Sequence, residues 1–236
     1  MTRLPRGRPK AVQSRIVRTS EYGQRLVEEP VIEIYDALAK EYAEHYESGN
    51  PDRPFLDEFL NQMKKGSRLL DLGCGTGSGA KYLFDHGIQV EGVDLSSRMI
   101  EVATRRYPDI RFRRADIRNL DYQVGGLDAV WAGYSLFHMV QKDFESTLGK
   151  IRSALVIGGI FGLTLQEGRG QVQFAEPLLP GKRLLVCLYS IEELTGILIA
   201  KGFKVIAHKR RKPASELEYP YNKLLMISRA TARRQQ

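Results

Sequence analysis

The segment Arg68-Leu69-Leu70-Asp71-Leu72-Gly73-Cys74-Gly75-Thr76-Gly77-Ser78-Gly79 most constrains what this chain can fold into. An apolar run stops at an acidic residue, enters a glycine-rich turn and passes into the helix-compatible stretch Ala80-Lys81-Tyr82-Leu83-Phe84. Strand, tight turn and helix in succession is how an α/β sheet builds a nucleotide site at the carboxyl ends of its strands. The glycines let the backbone turn sharply and let a ligand approach where a Cβ would stand in the way.

The glycine spacing narrows the ligand. A dinucleotide site reads G-x-G-x-x-G/A with an acidic residue about 20 positions further on. Here Gly73, Gly75 and Gly77 give G-x-G-x-G, with Ser78 in the place of the third glycine. Asp94 closes the next apolar run, Val90-Glu91-Gly92-Val93-Asp94, at the distance where a carboxylate accepts both hydroxyls of an adenosine ribose. With Asp71 just ahead of the glycines, the pattern resembles the class I S-adenosylmethionine-dependent methyltransferases.

The resemblance extends over about residues 31–230, in the expected order. Ile110 to Ile117 is similar to the family's third strand and its acidic end, Leu127 to Ala132 to the fourth strand, and Leu148 to Gly159 to a helix ending in a Gly-Gly turn before strand five. Upstream, Tyr35-Asp36-Ala37-Leu38-Ala39-Lys40-Glu41-Tyr42 is similar to the Y-D-x-x-A-x-x-Y segment that lies over the cofactor in many small-molecule methyltransferases. The family's fold is a Rossmann-like, doubly wound, mostly parallel seven-stranded sheet whose last strand enters antiparallel between strands five and six. The resemblance implies S-adenosylmethionine as cofactor. Asp71, Gly73, Gly75 and Gly77 would form the methionine-side turn, and Asp94 with Leu95 the ribose contact. Asp116 with Ile117 and Met99 would meet the adenine, and Tyr35, Tyr42 and Ala132 complete the site.

Composition and order agree with one α/β domain. A chain of 236 residues suits a single sizeable domain better than two. Cys74 and Cys187 make neither a disulfide framework nor a zinc site, and no metal site is expected. No apolar run approaches the roughly 20 residues of a membrane span, so a cytoplasmic enzyme is expected. Strands centred near Leu70, Val93, Phe112 and Val130 alternate with helices at about 77–86, 97–106 and 142–156, which implies a parallel sheet covered on both faces. Strand five is read at 159–166, a capped helix opens at Ser190-Ile191-Glu192-Glu193, and two strands follow at 203–209 and 224–228. Residues 21–63 read as a helical cover over the cofactor and substrate. Residues 167–189 read as a substrate-side insert with a strand or hairpin in its second half. Residues 231–236 form a short tail.

Methyl transfer from a sulfonium is an in-line displacement that needs chiefly positioning, with a base only where the acceptor must lose a proton. After strand four the chain reads Ala132-Gly133-Tyr134-Ser135-Leu136-Phe137-His138-Met139. That is not the D/N-P-P-Y/F box of nucleic-acid amine methylation and holds no cysteine for pyrimidine carbon-5 methylation. The paired glutamates of arginine methyltransferases are missing too, and the remaining resemblance is to enzymes with small-molecule acceptors. His138 and Tyr134 are the candidate catalytic residues. His138 reads first as a packing histidine at a helix start and second as a general base, and Tyr134 as a contact or a packing residue. Arg169, Lys182 and Arg183 read first as solvated loop charges and second as contacts for an acidic substrate, and the run Lys209-Arg210-Arg211-Lys212 as a solvated strand end.

The net charge of +8 is concentrated at the amino terminus. Residues 1–20 carry six basic side chains and no acid, leaving +2 on the rest, and are expected to be disordered when free. Within them Pro5-Arg6-Gly7-Arg8-Pro9-Lys10 resembles the core of an AT-hook, which lays arginines in a narrow A·T minor groove. A nucleic-acid tether through residues 3–18 is therefore the alternative partner reading, and a non-catalytic S-adenosylmethionine-binding module the alternative to an enzyme.

Overall fold

In the computed structural model, β1 (Arg68–Leu72), β2 (Gln89–Asp94), β3 (Arg111–Arg114), β4 (Leu127–Gly133) and β5 (Leu155–Glu167) pair in parallel in the order β3-β2-β1-β4-β5. The structure describes residues 23–47, 51–176, 178–179, 181–216 and 218–232. The basic tail, its AT-hook-like string and most of residues 231–236 lie outside the described residues. Consecutive apolar positions mark strands covered on both faces, and in β4 Ala129, Val130, Trp131 and Ala132 are all buried.

The strands alternate with α3 (Ser78–Asp85), α4 (Ser97–Arg106) and α5 (Gln141–Ala154), preceded by α1 (Gly23–Glu47) and α2 (Arg53–Leu60). After α6 (Ile191–Ala200), β8 (Phe203–Arg211) leads to β9 (Lys223–Ala230), which lies between β5 and β8 and runs antiparallel to both. Successive side chains of β9 face opposite ways. Leu224 and Met226 pack with Phe144, Leu148 and Leu198 of α5 and α6, whereas Leu225 and Ile227 pack with Phe55, Phe59 and Leu83 of α2 and α3. The chain order reverses between β1 and β4, the switch point where open α/β sheets bind ligands.

The seven expected strands are present, and the insert adds two more. β6 (Gly170–Ala175) and β7 (Arg183–Tyr189) form an antiparallel hairpin that joins the sheet where Gln166 and Glu167 of β5 pair in parallel with Leu188 and Tyr189. Among the described residues the sheet thus has nine strands. The first half of the insert is a strand as well as the second, and its Gln171-Val172-Gln173-Phe174 alternation is the period-two signal for it. Strand five also begins earlier than expected. Leu155 pairs with Leu127, and the register then shifts so that Ile160 pairs with Ala129, with Gly158 at φ 83° in the irregularity between. The Gly-Gly pair therefore lies inside the strand.

α1 and α2, read together as a cover, pack differently. Side chains of α1 pack on β7, where Ile34 and Leu38 bury against Leu184. α2 instead lies on the sheet face: Phe59 is fully buried, its ring 4.8 Å from that of Trp131. It lies over Gly162 of β5, where an added Cβ would stand 2.5 Å from Phe59 Cδ2 and 2.8 Å from Trp131 Cε3. Among the described residues no helix is long and apolar enough to cross a membrane. Gly162→Ala should cost about 1–3 kcal/mol by overpacking, measured by urea unfolding, and Phe59→Leu in the same chain should recover part of that loss. Undiminished stability of Gly162→Ala would contradict this packing.

Candidate active site

The turn after β1 is shaped by its glycines. Gly73, Gly75 and Gly77 have φ of 71°, 54° and 84°, a region disfavoured for residues with a Cβ. A Cβ on Gly73 would sit 2.3 Å from Ser135 Cβ, so this glycine also lets the loops after β1 and β4 touch. The Ser135 hydroxyl closes that contact by donating to the Leu72 carbonyl at 2.6 Å. Gly77 points away from the cavity, and a Cβ there would meet Phe112 Cζ at 2.8 Å, so it serves helix–strand packing. The Gly75 amide donates to Asp94 Oδ2 and the Ser96 amide to Asp94 Oδ1, both at 2.9 Å.

Above these strand ends lies a cavity of about 330 Å³ whose walls include Asp71, Gly73, Gly75, Asp94, Leu95, Met99, Asp116, Ile117, Tyr35, Tyr42, Tyr134 and His138. The structure thus brings together all the expected site residues except Gly77 and Ala132. The Ala132 side chain is fully buried in the core, and its neighbours Trp131 and Gly133 face the cavity instead.

The β1–β3 side of the cavity fits S-adenosylmethionine. Asp71 is 3 % exposed, and its carboxylate has no hydrogen-bond partner among the described residues. Burial, with the neighbouring Asp94 charge second, pushes its pKa from 3.8 up to about 7. A carboxylate left so is matched by a ligand ammonium. Ser78 and Gly79 open α3 beside it, where first-turn N–H groups lack intrahelical acceptors and suit a carboxylate. Each Asp94 oxygen keeps a lone pair after its backbone bond, enough for two ribose hydroxyls. Asp116 Oδ1 accepts from the Arg118 amide at 2.9 Å, and Asp116 Oδ2 from the Arg118 guanidinium at 2.6 Å. Burial raises the Asp116 pKa, but the Arg118 contacts outweigh it and hold the carboxyl below its ordinary value.

α1 straps this half of the cavity through Tyr35, Asp36, Ala39 and Tyr42. The Ser96 hydroxyl donates to Asp36 Oδ1 at 2.5 Å and caps α4 by accepting from the Met99 amide at 3.0 Å. Ala39 is buried, and the Tyr35 and Tyr42 rings meet edge to face at 5.8 Å. His138 Nδ1 lies 2.8 Å from the Leu185 carbonyl, which only accepts, so Nδ1 carries the proton and Nε2 accepts from the Tyr35 hydroxyl at 2.8 Å. Burial lowers the His138 pKa to about 4. Its two ring nitrogens thus link Tyr35 of α1 to Leu185 of β7.

The β4–β5–β9 side holds residues the sequence reading missed. The Tyr134 backbone is held at φ 53° by amide bonds to Thr164, and its hydroxyl donates to Asp52 Oδ1 at 3.0 Å. Burial, with Asp52 second, pushes the Tyr134 pKa well above 10, so the phenol stays protonated. Arg211 is not the solvated strand end expected of it: its side chain is 16 % exposed, on the cavity wall, bonded to Asp52 at 2.6 Å and to Glu218 at 2.7 Å. Alternation along β8 turns Lys209 and Arg211 toward Glu58 and Asp52 at the two ends of α2, while Arg210 turns outward to Glu167. Lys223, Glu176, Gln166 and Tyr219 also line this side. Arg169, Lys182 and Arg183 are exposed, as read.

A raised folded-state pKa means that the fold holds the Asp71 proton more tightly than the unfolded chain does. That stabilisation is present at low pH and is lost as pH rises from about 4 through 7. Asp71→Asn should therefore stabilise the ligand-free protein more at pH 8 than at pH 5, read as shifts in unfolding midpoint. Equal shifts at both pH values would contradict the assignment.

Comparison with known proteins places this geometry. Residues 69–159 match the family model described as a methyltransferase domain. The chain is 31 % identical to a demethylmenaquinone methyltransferase of Paenarthrobacter aurescens over 57 % of its own length and 49 % of that protein's. It is 33 % identical to a dTDP-3-amino-3,6-dideoxy-alpha-D-glucopyranose N,N-dimethyltransferase of Streptomyces fradiae, over 55 % of this chain and 51 % of that one. The chain thus spans about half the length of these curated relatives. Its fold matches the crystal structure of Burkholderia thailandensis 1,6-didemethyltoxoflavin-N1-methyltransferase, with bound 1,6-didemethyltoxoflavin and S-adenosylhomocysteine. That match has a TM-score of 0.76 at 19 % identity, covering 96 % of this chain and all of that one. Residues 69–159 thus match a methyltransferase domain, and the chain has the Rossmann-like fold of the methyltransferase structure it matches.

Proposed function

We propose that this chain transfers a methyl group from S-adenosylmethionine to a small-molecule acceptor. One observation carries the reading: the buried Asp71, unpartnered among the described residues, and the backbone-held Asp94 stand at the carboxyl ends of adjacent strands, in a cavity that continues past β4 to a separate polar wall. Bound on the β1–β3 side, S-adenosylmethionine supplies a methyl group on a good leaving group. The chain's own part is then to bind and orient. Asp71 takes the ammonium, the start of α3 the carboxylate, Asp94 the ribose hydroxyls, and Asp116, Ile117 and Met99 the adenine. α1 covers the cofactor, and the loop after β4 aims the acceptor from the far side.

The relatives' names support a small acceptor, since those proteins are named for a quinone precursor and a nucleotide sugar. Tyr134 and His138 enter this reading as positioning groups, because their hydroxyl and ring nitrogens are committed to Asp52, Leu185 and Tyr35. Two buried, free cysteines accord with a cytoplasmic site of action.

Asp94→Asn, which keeps one carbonyl acceptor, should weaken S-adenosylhomocysteine binding by about tenfold or more, as expected for a lost charge-assisted hydrogen bond, with the unfolding midpoint nearly kept. Labelled methyl from S-adenosylmethionine should enter the metabolite fraction of a host extract. Label confined to nucleic acid or protein would overturn the small-molecule reading, and binding without any transfer would favour a non-catalytic module.

A further inference from the structure

The wall beyond β4 carries five charged side chains, and four of them satisfy one another. Arg211 commits Nε to Asp52 at 2.6 Å, Nη1 to Glu218 at 2.7 Å and the Lys212 carbonyl at 3.1 Å, and Nη2 to Glu218 at 2.9 Å and the Tyr134 hydroxyl at 3.5 Å. The Lys223 ammonium gives its three donors to Gln166 at 2.9 Å and the Tyr219 and Tyr221 carbonyls at 2.6 and 3.0 Å, with Glu218 at 3.8 Å. Neither cation has a donor left for a ligand.

Glu176 differs. It follows β6, is 2 % exposed, lines the cavity, and has no cation paired with it among the described residues. Its Oε1 accepts from the Leu178 amide at 3.3 Å and its Oε2 from the Tyr219 hydroxyl at 2.9 Å, so each oxygen retains a lone pair. A buried carboxylate that is hydrogen-bonded but has no cation beside it still gains from a bound group that donates to it. Rings connect it to the end of β4: Tyr219 meets Phe137 edge-on at 6.4 Å, and Phe137 meets Tyr134 at 6.3 Å. These lining rings form apolar walls suited to a flat molecule.

We propose that Glu176 receives the methyl acceptor, and that the acceptor is a neutral or cationic flat ring bearing an N–H or O–H that it donates to this carboxylate. The inference rests on the methyltransferase reading above and names its acceptor class. Tyr219 is a positioning residue, holding Glu176 from one side and leaving the other for the ligand. Anionic acceptors are disfavoured because the two cations are already neutralised.

The test is calorimetric titration of protein saturated with S-adenosylhomocysteine. The probes are 1,4-dihydroxynaphthalene, its capped analogue 1,4-dimethoxynaphthalene and the anion 1,4-dihydroxy-2-naphthoate. The dihydroxy compound should bind about tenfold or more tightly than either of the others, the scale of a hydrogen bond to a charged group. Glu176→Gln should abolish its advantage over the anion while leaving S-adenosylhomocysteine affinity unchanged and the unfolding midpoint equal or higher. Equal binding of the three probes, no binding of any, or unchanged discrimination in Glu176→Gln overturns the proposal. Failure of S-adenosylhomocysteine itself to bind is a separate result that removes the methyltransferase reading, and this inference with it.

Discussion

The hydrogen bond from the Gly75 amide to Asp94 Oδ2, at 2.9 Å, ties the turn after β1 to the end of β2. The rest of the site is arranged around that tie. Gly73 and Cys74 donate to the Val93 carbonyl, so the turn lies across the neighbouring strand rather than out in solvent. Ser135 then closes on Leu72, where only a glycine at position 73 leaves room. Three loops after three strands are thereby fixed against one another. Asp36 and Ser96 extend the same unit to α1, which covers the cavity. Positive φ at three glycines and at Tyr134 is the conformational cost of bringing these loops together.

The two sides of the cavity solve opposite electrostatic problems. The β1–β3 side pairs Asp116 with Arg118 but leaves Asp71 without a countercharge among the described residues, and so favours a ligand that brings positive charge. The β4–β5–β9 side buries both signs together, with Arg211 and Lys223 enclosed by Asp52, Glu218 and carbonyls, so that its walls are charged yet nearly self-contained. Such a network fixes shape more than it adds stability, because desolvation offsets much of the attraction. It joins the start of α2, the end of β8 and the segment before β9 around one phenol, and so sets the form of that side of the cavity.

The arrangement of the β1–β3 side was legible in the sequence because its determinants are local. Asp71, the glycines and Asp94 lie within one strand–turn–helix–strand unit, where spacing alone specifies geometry. The β4–β5–β9 side was not legible because its partners are far apart in the chain: Asp52 meets Arg211 across 159 positions, and Glu176 meets Tyr219 across 43. A charge run such as Lys209 to Lys212 looks solvated until strand alternation is applied and one face is known to be covered by α2. Ala132 was misplaced on the cavity for the same kind of reason, since which face of β4 is open depends on the helices packed over it. Gly77 lies in the turn, where a Cβ would clash with Phe112, a demand of packing that the glycine spacing does not reveal.

A crystal structure of the S-adenosylhomocysteine complex tests the central claim most directly. The account predicts the ligand's ammonium within hydrogen-bonding distance of Asp71, its ribose hydroxyls on Asp94, and its sulfur directed past the end of β4 toward the wall that holds Tyr134 and Glu176. A ligand bound elsewhere, or bound with Asp71 still unpartnered, would contradict it.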